Sequence, residues 1–458
     1  MMTDTIAAIA TGMGSSGIGI IRISGNKALS IADEIFKPSI KKRKPSKMIS
    51  YTAALGRIIY EGTLYDEVIC LVMKGPHSYT TENVVELNCH GGILVLKQIF
   101  DLIIRLGARP AQPGEFTKRA FLNGRIDLSQ AESVMDLIHS KNNMAAAASI
   151  KQVTGELRDI IAQMRTELLF NMAHIEAALD DPENYSLDDF MPMFRTTVDN
   201  MLISVNNLIE SSDSGRIIKE GIRTVILGRP NAGKSSVLNM LLGAERAIVT
   251  NVEGTTRDTL EEYVNIGGIT LNIVDTAGIR DTEDIVERIG VDKAIDNISD
   301  ADLILFVVDG SSELDANDYK IMKCIKGKKI ITLINKNDLD IVVDKMLIRS
   351  KIKTDFLEIS AKRGTGKKKL HALIKKMFFA DDLNYNDQLY ITNMRHKALL
   401  YETAASLSSV IETMDNNMSE DFLTIDLMAA YESLGKIIGE DLKDDLINKI
   451  FSQFCMGK

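Results

Sequence analysis

Apolar and polar positions change rhythm several times along the chain. In residues 1–118 apolar residues come in short strand-like runs, Ile18–Ser24 and Glu67–Met73, separated by turn residues, which predicts a mixed α/β domain. From 119 to 215 the period lengthens. DLSQAESVMDLIHSK and ELRDIIAQMRTELLFNMAHIEAAL repeat apolar residues at helical spacing, and a further helix is expected over Thr197–Ser211. The acidic stretch Asp180–Asp189 and Pro192 mark a break between these helices. Residues 216–379 then alternate the apolar strands RTVIL, TLNIVD, DLILFVVD, KIITLIN and DFLEIS with helical segments. That alternation predicts a mainly parallel sheet covered by helices on both faces. Residues 380–458 return to helical spacing. The simplest architecture is an α/β front (1–118) followed by a discontinuous helical domain (119–215 and 380–458), into which a sheet domain (216–379) is inserted.

Composition narrows the class. With 45% hydrophobic and 26% charged residues the chain is an ordinary globular sequence. Its net charge of −9 is opposite to that of an RNA-coating protein, so nucleic-acid contact has to come from local patches. The basic loop Lys41–Lys47 is either such a patch or a solvated turn, and Lys367–Lys369 read as a solvated helix face. Cys70, Cys89, Cys324 and Cys455 form no C-x-x-C pair, which fits a reducing compartment better than a zinc site. The start lacks a signal-peptide pattern and no apolar run has membrane-spanning length, so a cytoplasmic protein with no membrane association is expected.

The sheet region carries the chemistry. Gly228-Arg229-Pro230-Asn231-Ala232-Gly233-Lys234-Ser235, followed by Ser236, follows a strand and opens a helix, the context a phosphate-binding loop requires. Its backbone N–H groups would cradle phosphates, Lys234 would reach the β- and γ-phosphates, and Ser235 would ligate Mg²⁺. Three further strand ends supply Asp275-Thr276-Ala277-Gly278, Asn335-Lys336-Asn337-Asp338 and Ser360-Ala361-Lys362. An aspartate at position 338 can accept from guanine's ring N–H and exocyclic amine together, a donor pair that adenine lacks. All lie where open α/β sheets bind ligands, beyond the carboxyl ends of the strands. GTP binding by a Ras-like P-loop domain follows. Between the first two motifs runs Thr250-Asn251-Val252-Glu253-Gly254-Thr255-Thr256, and Thr256 is the expected second Mg²⁺ ligand.

Catalysis is less direct. Ras-like enzymes orient the attacking water with a glutamine after D-x-x-G. Here that position is Ile279, so another group must act, and Arg280–Arg288 offers candidates, Glu287 among them, or is a merely solvated loop. Together GRPNAGKSS, TNVEGTTRD, DTAGIR, VERIG and the terminal FCMGK resemble the MnmE family, also called TrmE, and the likeness extends over the whole chain. The resemblance implies K⁺ held by Asn231 and by carbonyls of Thr250, Val252 and Thr255, standing where an arginine finger acts elsewhere, and Glu287 as the residue that orients water. It implies a folate-binding-like front holding a formyl-tetrahydrofolate-type one-carbon donor through Arg22, Glu86, Arg125 and Lys458. The usual residue at position 125 is lysine, and arginine keeps the charge with a different geometry.

Gly12–Gly17 matches G-x-G-x-x-G, but a strand-like run follows it rather than a helix, so a glycine-rich turn is expected there. Cys455 is either a small buried apolar residue or a thiol with chemical duty. The resemblance further implies homodimerisation through the N-terminal domain and partnership with the flavoprotein MnmG, in a heterotetramer that installs a carboxymethylaminomethyl-type group on carbon 5 of the wobble uridine of certain tRNAs. The alternative is a ribosome-assembly or translational checkpoint GTPase acting as an RNA-binding switch, which the nucleotide motifs alone do not exclude.

Overall fold

The structure is a computed structural model that describes every residue except 1–3, 13, 40–43, 182–186, 188–189, 244–261, 267, 275–297, 380–388, 417, 420, 441, 456 and 458. The chain divides into two compact units, 1–135 with 152–185 and 424–458, and 136–151 with 186–423. No helix among the described residues is long and apolar enough to cross a membrane.

The first unit is built on β1 (Ile6–Ile9), β2 (Ser16–Ser24), α1 (Ala28–Ile35), β3 (Phe36–Pro38), β4 (Thr52–Tyr60), β5 (Thr63–Met73), β6 (Val84–Gly91), α2 (Ile93–Arg105) and β7 (Arg109–Pro110). Seven strands form one sheet in the order β3-β4-β5-β6-β2-β1-β7, antiparallel except for the β1–β7 pair. A strand and not a helix follows the Gly12–Gly17 match, as the sequence indicates, but β2 already begins at Ser16, so the expected turn does not extend to Ser16 and Gly17. Alternate residues of the sheet pack against α1 and α2 in one apolar cluster that includes Ile21, Ile23, Ile58, Val72 and Leu87. Cys70 and Cys89 belong to this core, and burial pushes both thiols up to about 12.

Helices α3 (Glu115–Leu122), α4 (Leu128–Ile138), α5 (Asn143–Thr154), α6 (Glu156–Asp180) and α7 (Phe190–Glu220) follow. Apolar residues of α6 are buried at helical spacing, Leu157, Ile161, Met164, Leu168, Met172 and Ile175. The expected helix over Thr197–Ser211 is the middle of α7, whose buried stripe Phe190, Phe194, Val198, Met201, Val205, Leu208 runs longer at both ends. Pro192 does not interrupt it, because in the first helical turn the missing N–H is one the helix leaves unpaired anyway. The helix passes position 216 without a break.

The second unit contains β8 (Ile222–Leu227), α8 (Lys234–Leu242), β9 (Glu262–Ile266), β10 (Ile269–Ile273), β11 (Leu303–Asp309), α9 (Ala316–Cys324), β12 (Ile330–Asn335), α10 (Lys345–Lys351), β13 (Asp355–Glu358), α11 (Lys367–Phe378) and α12 (Met394–Asp415). The sheet order is β13-β12-β11-β8-β10-β9, parallel apart from the β9–β10 hairpin, which is Ras-like topology. Every residue of β11 and β12 is buried, as continuous apolar strands inside a two-sided parallel sheet must be. Helices α13 (Asp421–Ile438) and α14 (Asp444–Phe451) close the chain.

Charge is also buried in the first unit. Arg119 on α3 is 1% exposed, and its guanidinium contacts Asp4 (2.8 Å), Glu82 (3.0 Å) and Glu115 (3.2 Å). Glu115 also pairs with Arg109. Burial by itself raises the Glu115 carboxyl, but hydrogen bonds from Arg109, the Gln112 backbone N–H and Arg119 outweigh it and hold it below its ordinary value. Asp4 is lowered in the same way: burial pushes up, and Arg109 and Arg119 more than compensate.

Arg119→Met leaves the enclosed carboxylates of Glu115 and Glu82 with fewer partners, so we expect a loss of about 3–5 kcal/mol in urea unfolding. Because the native carboxyls sit below their unfolded values, their contribution is present above pH about 4 and is lost as pH falls through the lowered values. The acid unfolding limb of the wild type, followed by circular dichroism, should therefore be steeper than that of Arg119→Met. Equal stability and equal acid limbs would show that the cluster contributes no net stabilisation.

Candidate nucleotide-binding site

β8 ends at Leu227 and the phosphate-binding loop begins at once. A side chain on Gly228 would meet the Val307 carbonyl oxygen at 2.3 Å, so the first glycine is required by the close approach of β11. Asn231 takes φ +61°, a left-handed conformation in which asparagine is among the more tolerated residues. Gly233 takes φ +97°, and a Cβ there would lie 2.2 Å from Nδ2 of Asn335. Lys234 opens α8, and its ammonium donates to the carbonyl oxygens of Gly228 (3.0 Å) and Arg229 (3.1 Å). The cation thus lies over the loop whose N–H groups, with the N-terminus of α8, favour a polyphosphate. Ser235 and Ser236 lie in the first turn of α8, where a hydroxyl suits Mg²⁺ coordination beside phosphate oxygens.

The opposite wall comes from β12 and β13. Asn335 is 3% exposed; its Nδ2 donates to the Ala232 carbonyl oxygen (2.9 Å) and its Oδ1 accepts from the Ala361 N–H (3.0 Å). One amide therefore joins the phosphate loop to the Ser360-Ala361-Lys362 loop. Lys336 has φ +63°, and its ammonium bonds Asp309 Oδ2 at 2.6 Å. Asp338 lies in the same turn. A hydrogen bond from the Ser360 hydroxyl, a backbone N–H and the charges of Arg363 and Lys362 hold its carboxyl below the usual range, against a small opposing effect of desolvation. Asp338 is thus an ionised acceptor at neutral pH, the state that bidentate recognition of guanine needs.

Gly228–Ser236, Asn335, Lys336, Asp338 and Ser360–Lys362 are in this way brought to the carboxyl edge of β8, β12 and β13. Thr250, Asn251, Val252, Glu253, Gly254, Thr255, Thr256, Asp275, Thr276, Ala277, Gly278 and Glu287 lie outside the described residues. Sequence reasoning overlooked Asp309, although an aspartate closing the wholly apolar β11 was a visible signal. It also overlooked Arg229. That guanidinium bonds the Ser312 hydroxyl and the Glu313 carbonyl oxygen (3.2 Å) and approaches Asp315 (3.5 Å), the N-cap of α9. No spacing rule marked it.

A second cluster forms in the first unit. Arg22 on β2 stands opposite Glu86 on β6, and the two pair at 2.7 Å. The Arg22 guanidinium lies 5.7 Å from the Tyr79 ring centre and 5.5 Å from that of Phe116, and it donates to the Gly457 carbonyl oxygen at 3.2 Å. Arg125 lies 4.7 Å from the Tyr79 ring centre. Two of the four residues expected at the folate site, Arg22 and Arg125, thus lie about one aromatic ring, Tyr79, which the sequence reading did not single out, and a third, Glu86, is joined to them through Arg22. The fourth, Lys458, lies outside the described residues. Cations beside an aromatic face fit a ligand with a flat ring and a carboxylate tail. The tail reaches this place because the Cys455 carbonyl oxygen accepts from the Gly114 N–H (3.2 Å), while a Cβ on Gly457 (φ +85°) would meet the Ala10 Cα at 2.8 Å. Cys455 itself is half-buried.

Two family models match, the GTP-binding protein TrmE N-terminus over residues 5–125 and the MnmE helical domain over 128–455. The chain belongs to the MnmE family. Relatives named tRNA modification GTPase MnmE include that of Lachnoclostridium phytofermentans, 51% identical over 458 residues and covering 100% of both chains. Those of Thermoanaerobacter pseudethanolicus and Acetivibrio thermocellus are each 45% identical over 461 residues, covering 100% and 99% of both chains respectively. Membership accounts for the joint presence of an α/β front, a Ras-like sheet and a helical domain that continues on both sides of it.

Asn335→Ala removes both bonds between the phosphate loop and the 360–362 loop. At about 1 kcal/mol each, guanine-nucleotide affinity should fall roughly tenfold to a hundredfold by equilibrium titration. Unchanged affinity would mean that this amide does not set the spacing of the two loops.

Proposed function

We propose that this chain hydrolyses GTP as part of a tRNA-modifying enzyme which, with the flavoprotein MnmG, adds a carboxymethylaminomethyl-type group to carbon 5 of the wobble uridine. One observation carries the reading: family likeness extends over the whole chain, from the TrmE front to the helical end. The alternative, a ribosome-assembly or checkpoint GTPase, rests on the nucleotide motifs alone, so the flanking matches favour modification. The proposed division of labour is residues 1–118 for one-carbon binding and dimerisation, 216–379 for GTP, and 119–215 with 380–458 as the helical body. The proposed compartment is the cytoplasm, where tRNA and GTP meet. The decisive test is the wobble-nucleoside profile of tRNA from cells lacking the protein, and an unchanged profile would end the proposal.

In the nucleotide site the P-loop residues bind phosphates, Asp338 selects guanine, and Ser235 with Thr256 holds Mg²⁺. Glu287 is assigned to orient water, and Asn231 with carbonyls of Thr250, Val252 and Thr255 to hold K⁺. The exposed, left-handed Asn231 leaves its side-chain oxygen available at the loop's outer surface, which supports that role. A monovalent cation there offsets charge developing on the transferring phosphoryl group. In the first unit, Arg22, Glu86, Arg125 and Lys458 are the proposed contacts of a formyl-tetrahydrofolate-type donor, and the cation–aromatic cluster around Tyr79 supports this. A homodimer through the same domain is supported by Leu55 and Ile69, paired across β4 and β5 and 54% and 47% exposed.

Asp338→Asn should weaken GTP and favour xanthosine triphosphate, because the new amide can donate to the exocyclic oxygen. Equal affinity and unchanged base preference in nucleotide titrations would count against the assignment. Turnover should be faster in K⁺ than in Na⁺ at equal ionic strength, and Asn231→Ala should erase the difference. Glu287→Ala should lower kcat with nucleotide affinity nearly intact, since water positioning acts mainly in the transition state. Turnover indifferent to K⁺ in the wild type would remove the cation, and a large affinity loss in Glu287→Ala would make that residue structural.

A further inference from the structure

Charge is distributed unevenly in this acidic chain. Residues 320–376 hold 17 lysines and arginines against five aspartates and glutamates, leaving 37 and 58 in the rest of the sequence. Topology gathers many of these cations at one end of the nucleotide-binding sheet. In a parallel sheet the nucleotide occupies the carboxyl ends of the strands, so loops entering the strands lie at the opposite end. Lys326, Lys328 and Lys329 precede β12, Lys351 and Lys353 precede β13, and Lys375 and Lys376 stand near the end of α11.

Side-chain bonds join the three segments. The Lys329 ammonium donates to the Met377 carbonyl oxygen (3.5 Å) and lies 4.3 Å from the Phe378 ring centre, which ties the β12 entry to the end of α11. The Thr354 hydroxyl accepts from the Thr332 N–H (3.1 Å) and bonds the Ile330 carbonyl oxygen (3.1 Å), which ties the β13 entry to the β12 entry. Neighbouring strands stand about 4.8 Å apart, so these loops form one patch rather than separate charges. Six of the seven lysines are exposed. Lys328 is half-buried, with its ammonium bonded to the Ser299 carbonyl oxygen. None of the seven forms an ion pair among the described residues. The acids at this end are Asp355, which opens β13, Asp300, 3.8 Å from Arg223, and Asp302 and Glu220, which pair with Arg216 at 2.6 and 3.8 Å.

We propose that this end of the sheet, remote from the nucleotide, is a docking surface for the phosphate backbone of an RNA. The proposal deepens the tRNA reading above and rests on it. The chemistry of the patch favours RNA over an acidic protein. Protein interfaces are depleted in lysine and anchored by aromatic residues, whereas here lysines outnumber the arginines Arg223 and Arg349, and Phe378 and Phe379 are buried. The burial of these rings also separates the patch from surfaces that stack single-stranded bases. Lysine point charges without a stacking platform hold phosphates, and so fix the position of an RNA without reading its sequence.

Fluorescence anisotropy with the full-length protein bound to GDP and a tRNA transcript, repeated over a salt series, tests this. One variant takes a lysine from each segment, Lys326→Glu, Lys353→Glu and Lys376→Glu together. A second replaces the same three with Gln, which removes charge without adding repulsion. We expect the reversal variant to bind tRNA at least tenfold more weakly at about 0.1 M salt. The Gln variant should flatten the plot of log affinity against log salt by about 2–3 in slope, at roughly 0.7–0.9 for each phosphate that is no longer neutralised. GTP turnover without RNA should be unchanged in both, because the substitutions lie at the far end of the sheet. Wild-type affinity and slope in both variants overturn the surface alone. A wild type that binds no tRNA overturns the tRNA reading beneath it. Displacement of tRNA by polyglutamate as readily as by unrelated duplex RNA would assign the patch to an acidic protein and overturn the commitment to RNA.

Discussion

Where parallel strands end, their last backbone groups lose their ladder partners, and the loops that follow must be satisfied by something other than the sheet. In this protein much of that duty falls on the Asn335 side-chain amide. Its donor end caps the Ala232 carbonyl and its acceptor end takes the Ala361 N–H, so a single buried group joins the Gly228–Ser236 loop to the Ser360–Lys362 loop. An aspartate of the same size has no donor for Ala232, and a leucine has neither function. The constraint also fixes a neighbour: Gly233 has no room for a Cβ because the same amide stands 2.2 Å from where one would lie. The Gly228–Ser236 loop and the Ser360–Lys362 loop are therefore one piece of geometry, although they stand far apart in the sequence.

The first unit solves a comparable problem with charge. Arg119 lies almost completely inside, where a lone guanidinium would be costly, and three carboxylates from different parts of the chain gather around it. Nearby, Arg22 and Arg125 face aromatic rings, and Arg22 also reaches the Gly457 carbonyl. The two arrangements differ in what they leave open. Arg119 is enclosed by its own carboxylates, whereas Arg22 is held partly by aromatic faces and the chain's last residues, surroundings in which a ligand can take part.

Legibility in the sequence followed the range of the interactions. The strands of the nucleotide domain and its order of elements were readable because unbroken apolar runs followed by glycine or asparagine have few other solutions. P-loop, N-K-x-D and S-A-K were readable as fixed spacings. Asp338 was legible as an acceptor, but the Ser360 hydroxyl and the Arg363 and Lys362 charges that lower its carboxyl further come from the next strand's loop, and no local pattern announced them. Tyr79 was missed for the same reason: an aromatic residue after the end of β5 means nothing until β2, α3 and the tail converge on it. The full length of α7 was hidden by Pro192, whose effect depends on whether it stands in the first turn or beyond. The seven-stranded order of the first sheet was illegible because β1 and β7, only four and two residues long, leave little periodicity to read.

The β9–β10 hairpin connects the nucleotide motifs with the helical part of the second unit. Thr250–Thr256 precede it in sequence, and Asp275 follows soon after β10. The hairpin is tied to helical segments through Asn142, whose Nδ2 donates both to the Thr270 hydroxyl on β10 (2.9 Å) and to the Ile218 carbonyl oxygen near the end of α7 (3.1 Å), while its Oδ1 accepts from the Ala145 N–H (2.7 Å). Beside it, the Lys141 ammonium lies 3.3 Å from the ring centre of Tyr263 on β9, and Ala145 and Ala148 of α5 pack into the same core as Val264 and Ile266. Asn142 is 8% exposed, so water has little access to replace a bond it loses. A shift of β10 along its axis must therefore either carry α5 and the end of α7 with it or leave buried polar groups unpaired. The second course costs about 1–3 kcal/mol per group, which favours movement of the hairpin together with the helices over movement between them.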